Sequence, residues 1–139
     1  GRLRKAEVAD QLVGDGDQLI DEWDWRENAA LEFERGDAAP DETFFLSVGV
    51  HRFGRSGGAS DGLNGLAEAL DALTDPDYQE VDVDKIGDEA RAFASESADS
   101  NIYILYVRSG NIVYRIGGSS LTGDPAADVI ALAEALVDQ

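Results

Sequence analysis

The chain has no cysteine, no methionine, a single histidine and few positive charges. Each scarcity removes a class of chemistry. Without cysteine there is no disulfide framework, thiolate nucleophile or zinc–thiolate centre, and the redox compartment stays open. With His51 alone, one chain cannot assemble a histidine-rich transition-metal site. Any Ser-His-Asp triad must pass through that residue. No apolar run approaches the roughly 18 residues of a membrane span, so no part of the chain is expected to insert into a bilayer. There is no P-loop ending and no dinucleotide glycine spacing, so no cofactor and no metal is expected. The missing methionine includes the initiator. The chain opens Gly1-Arg2-Leu3, as a trimmed form or an excised domain would. A signal peptide or lipid-anchor cysteine would have left with the removed segment.

What is present in excess is acid. Asp and Glu number 29 against 11 Lys and Arg, a net charge of −18. Phosphate binding needs a basic face, so nucleic acid is not an expected partner. An anionic membrane surface is disfavoured for the same reason. Residues 1–50 hold 13 acids and 5 bases, residues 51–139 hold 16 and 6. That even spread serves solubility better than one focused cation site. Two settings fit it: a secreted, exposed surface, or a halophile cytoplasm where carboxylates hold water at high salt. At 139 residues the expectation is one domain over 1–139, with a helical or extended segment at 1–40 and a core of sheet and helices at 43–137.

Periodicity assigns most elements. Leu3, Ala6, Ala9, Leu12 and Val13 have helical spacing, which predicts a helix over 3–13. Residues 18–26 are ambiguous and lean to strand; 27–34 read as a short helix with Ala30, Leu31 and Phe33 inward. TFFLSVGVHRF, residues 43–53, alternates as a strand. One face holds Phe45, Ser47, Gly49 and His51, and the other is nearly all apolar. Residues 54–59 read as a flexible connection, and Ser60 or Asp61 as the cap of a helix through Thr74 with Leu63, Leu66, Ala67, Leu70 and Leu73 inward. Tyr78, Val81 and Val83 begin a short extended stretch, and 90–95 continue as strand. IYILYV (102–107) and IVYRI (112–116) flank a glycine-containing turn, a β-hairpin apolar on both faces and so covered on both. Gly117 to Gly123 reads as a loop. Asp124-Pro125 opens a final helix with Val129, Leu132, Ala133, Leu136 and Val137 as its core stripe. The class is α+β: one mostly antiparallel sheet with packing helices.

Five features could carry function, and each has a plainer reading; one is the set Tyr103, Tyr106 and Tyr114 on the hairpin, an aromatic ligand wall or simple cross-strand packing. His51 ends an apolar strand beside Arg52; it could act as a general base or pH sensor, or be a half-exposed strand-end residue. Phe53 to Ser60 joins strand to helix, where Arg52, Arg55 and Ser56 could hold an anion; the plain reading is a linker. Asp15-x-Asp17 and Asp82-x-Asp84 resemble calcium-loop openings, but Ile86 and Phe93 sit where oxygen ligands belong in the second, and the first has Ile20 in place of the required glycine. Trp23 and Trp25 lie among acids, as in carbohydrate- or cation-binding surfaces, or as simple core.

The strand–helix order, then Gly87-Asp88-Glu89-Ala90, then the hairpin marked by Arg108, Gly110, Asn111 and Val113, and the terminal Ala/Leu helix form a cadence over about 43–137. It resembles the extracytoplasmic domains of bacterial lipoproteins and membrane-tethered sensors, in order also the Mog1/PsbP-like fold. The resemblance implies an extracytoplasmic binding or accessory domain and carries over no catalytic residue. The expected function is therefore non-enzymatic recognition of a protein or small molecule through a concave sheet face or the loops at 54–60 and 117–123. A cytoplasmic halophile interaction domain and a hydrolase using His51 are the alternatives.

Overall fold

The structure is a computed structural model that describes residues 2–6, 25–34, 36–73, 77–96 and 99–138. The expected helix-ending run 14–17, Trp23 and the first calcium-like motif lie outside these residues. Seven antiparallel strands form one sheet: β1 (Arg2–Ala6), β2 (Trp25–Glu34), β3 (Thr43–Phe53), β4 (Gln79–Val81), β5 (Glu89–Glu96), β6 (Asn101–Ser109) and β7 (Ile112–Ser120). Their spatial order is β1-β2-β3-β7-β6-β5-β4. Helix α1 (Ser56–Asp71) packs on one face and α2 (Ala126–Val137) on the other. The class is α+β.

The two-face covering follows from β6. Ile104 and Tyr106 point to α1, where Phe53, Leu63, Ala67, Leu70, Phe93 and Val113 complete a cluster. Tyr103, Leu105 and Val107 point to α2, where Val48, Ile116, Val129 and Ala133 form a second. A strand apolar on both faces has to be central and covered. Phe93 and Tyr106 meet edge to face, centroids 6.3 Å apart, the arrangement aromatic quadrupoles favour.

Four expectations need correction. Residues 2–6 are strand, not helix, and 27–34 belong to β2, whose ladder with β3 runs from Trp25 to Glu34. Ala, Leu and Glu favour helix in isolation, but pairing with the long strand β3 overrides so small a preference. Gly117 to Ser120 is not loop but the end of β7, paired with β3 and β6. Gly118 is there because a Cβ would stand 2.6 Å from Val129 Cγ2: α2 lies directly on the strand. Helix α1 begins at Ser56, with Arg55 as its cap residue, and ends at Asp71. Gly58 and Ala59 are buried, so packing on the sheet holds a glycine-containing first turn in helix. Leu73 falls past the helix and is exposed. At α2 the Asp124 carboxylate accepts the Ala126 N–H at 3.0 Å, as an acid ahead of a helix should.

Candidate functional site

The family-like motif residues meet in one place. Gly87 has φ +62°, and a Cβ there would stand 2.5 Å from the Arg108 carbonyl oxygen. The Asp88 N–H donates to that same oxygen at 2.8 Å. The Asp88 carboxylate accepts the Gly110 N–H at 2.8 Å, across the hairpin turn. Arg108 Nε donates to Glu89 at 2.6 Å, and its Nη1 to the Gly110 carbonyl at 3.0 Å. Burial pushes the Glu89 carboxyl up, but hydrogen bonds from Ser60 and Arg108 outweigh it and hold the group below its ordinary range. Asn111 donates through its side-chain amide to the Phe53 carbonyl at 2.7 Å. This is a structural lock that ties β5, the β6–β7 turn and the end of β3. It explains the spacing of Gly87-Asp88-Glu89 against Arg108-x-Gly110-Asn111 without a ligand. Gly87 serves that lock, not a calcium loop. Among the described residues no three acidic or imidazole groups stand close enough to hold a metal.

His51 is 2% exposed, on the α1 side of β3. Burial first, and the nearby Arg115 charge second, lower its pKa to about 4. It is a neutral core imidazole at pH 7, buried rather than the half-exposed strand-end residue of the plainer expectation. Arg52 is the next residue in the strand, so it points to the opposite face, and it is exposed. Arg55 and Ser56 are exposed at the start of α1. Trp25 is in β2, paired with Phe53. His51 and Arg52 are thus turned apart rather than gathered around the 54–60 connection.

Arg115, which the sequence reading passed over, is the notable group beside His51. It lies on β7 opposite Gly49 and Tyr106 and is half-buried. Its Nε donates to the Tyr106 hydroxyl at 3.3 Å, and its guanidinium carbon stands 6.0 Å from the centre of that ring. Tyr78, buried and within electrostatic reach, has its pKa raised by burial, offset in part by Arg115. Helix α1 packs over Phe53, Val113, Tyr106, Ile104 and Phe93. Beside that covered region, β3 and β7 present Ser47, Gly49, Gly117 and Ser119. Arg115, Ser47, Gly49 and Ser119 are half-buried rather than sealed. The face therefore offers a cation held by a phenol and next to it a strip of small residues. The signal was present as an arginine inside an apolar strand, VYRIGG, with Tyr106 nine residues upstream across the hairpin, but Ser47, Gly49 and His51 come from more than sixty residues upstream.

No protein-family model matches the chain, and no curated protein matches it. In fold it is similar to the extracellular domain of PknH from Mycobacterium tuberculosis, with a TM-score of 0.57 over 88% of this chain and 69% of that one, at 14% identity. That likeness defines a shared α+β architecture.

Proposed function

We propose that this chain is a non-enzymatic recognition domain that works outside the cytoplasm. The observation that carries the reading is Arg115, half-buried, held by Tyr106 and bordered by the small-residue strip of β3 and β7. A charged fork at the edge of a core, bordered by small half-buried residues, suits binding of a ligand better than chemistry on one. His51, the sole imidazole, is buried and neutral, poorly placed to take a proton from a substrate in solvent. The extracytoplasmic setting is supported by the lipoprotein- and sensor-like cadence over 43–137, by a fold shared with an extracellular domain, and by an acidic surface.

A thermal-shift panel of sugars, nucleotides, short peptides, metals and small acids tests recognition. A ligand that binds only the native state adds about 2.7 kcal/mol at a hundred times its dissociation constant. The expected result is a hit whose effect is lost in Arg115→Gln. A silent panel, or a hit indifferent to that change, contradicts the proposal. The setting is tested on the full-length protein in intact cells: a non-permeant protease is expected to cut this domain, and protection contradicts it.

A further inference from the structure

We infer that Arg115 is the anchor for a small monocarboxylate with an apolar body, a ligand class that rests on the recognition reading above. Among the described residues, the other partly buried arginines are both paired with acids. Arg91 gives two nitrogens to the Glu80 carboxylate at 2.9 and 2.8 Å. Arg108 meets Glu89 at 2.6 Å and Asp88 at 3.6 Å. In a chain with 29 acids, Arg115 has no carboxylate within ion-pair distance among the described residues. Its described hydrogen bond is the one from Nε to a neutral phenol, and this leaves the two terminal nitrogens for another acceptor. The planar guanidinium fork matches a carboxylate in two parallel hydrogen bonds. A second negative charge on the ligand would gain little there and would meet the field of a −18 protein, which favours a monoanion.

The residues beside the fork describe the rest of the ligand. Gly49 lies opposite Arg115, and a Cβ added there would meet His51 and Arg115 only at ordinary contact distances, 3.6 and 3.8 Å. Packing against those neighbours does not require glycine, unlike at Gly118. A glycine inside a central strand lowers stability and often marks a bulge, a tight bend, or the close approach of a ligand or another backbone; the β3–β7 register runs unshifted through Gly49, which removes the bulge. From Arg115 the strip runs past Gly117, between Ser47 and Ile104, to Ser119, between Phe45 and Ile102. Four strand residues span about 13 Å. The strip is thus bordered on the β6 side by Ile102 and Ile104 and at its far end by Phe45, apolar groups for an apolar tail, with Glu32 and Glu34 of β2 paired with Ser47 and Phe45 on the other side, so the anionic end belongs at Arg115.

The test is a calorimetric titration of the folded chain with benzoate and octanoate, each beside its neutral amide. Saturable binding of at least one acid is expected, with the matching amide at least tenfold weaker, because losing a charge-assisted hydrogen bond of about 1.5–3 kcal/mol is worth that factor or more. Arg115→Gln should weaken the acid by a similar factor. Gly49→Ala, which the neighbouring distances accommodate, should weaken it while the circular dichroism spectrum stays native; it serves if Arg115→Gln does not fold. Equal binding of acid and amide, or no binding of either acid by folded wild type, overturns the carboxylate assignment. If the carboxylates fail but a sugar or peptide from the panel binds in an Arg115-dependent way, the ligand class falls and the recognition site stands. If nothing on the panel binds, both fall.

Discussion

His51 shows how one side chain sets a pH response. Its pKa is lowered in the folded chain to about 4, by burial and then by Arg115, from about 6.5 when unfolded. Between those values the unfolded chain binds the extra proton, so stability falls as pH drops from about 6.5 toward 4. Acidifying from pH 7 to 5 is expected to remove about 2 kcal/mol through this group. Urea unfolding at both pH values checks it, and His51→Leu should lose most of that slope. Glycines supply a second residue-scale contrast. Gly87 and Gly110 both have positive φ, 62° and 61°. A Cβ at Gly110 meets open space, whereas at Gly87 it strikes the Arg108 carbonyl. Gly110→Ala is expected to cost about 1 kcal/mol and Gly87→Ala up to about 3 kcal/mol; equal losses in chemical denaturation would contradict the lock.

At the scale of elements, the Gly87–Glu89 step and the β6–β7 turn behave as one unit. The Asp88 carboxylate accepts the exposed Gly110 N–H at 2.8 Å. Asp88→Ala should therefore speed hydrogen exchange at Gly110, with a stability loss of about 1 kcal/mol. Unchanged exchange at Gly110 would show that the turn holds itself. The elements also divide by how readable they are. β3, the hairpin and both helices were legible because periods of 2 and 3.6 are carried by large apolar side chains such as Val48, Leu105 and Leu63. β2 was not, since Asn-Ala-Ala-Leu-Glu-Phe-Glu is helix-favouring by composition and becomes strand only by pairing with β3. Gly117 to Ser120 lacked any strand-forming side chain, and its place in β7 comes from two flanking strands and the closeness of α2. The site was hardest of all. His51 could be singled out as the lone imidazole, and Tyr106 and Arg115 share the legible hairpin, but Gly49 and Ser47 join Arg115 only through the register of β3 with β7, which no local window contains.

For the whole molecule, the question is what a net charge of −18 does. Like charges repel, and salt screens them with a Debye length of about 30 Å at 0.01 M and 3 Å at 1 M. The melting midpoint should rise across that range. On the proposed extracytoplasmic setting, a domain with a helix packed on each sheet face is expected to stay folded at the low end, with cooperative melting. Unfolding in 0.01 M salt would instead support the halophile cytoplasmic alternative. Recognition by one sheet face is the central claim, and it is tested most directly by amide chemical-shift mapping of the ¹⁵N-labelled chain titrated with benzoate and octanoate. The account predicts saturable shifts concentrated at Ser47, Gly49, Arg115, Gly117 and Ser119, absent in Arg115→Gln. Shifts scattered over the surface, or gathered on the α2 face, would contradict it.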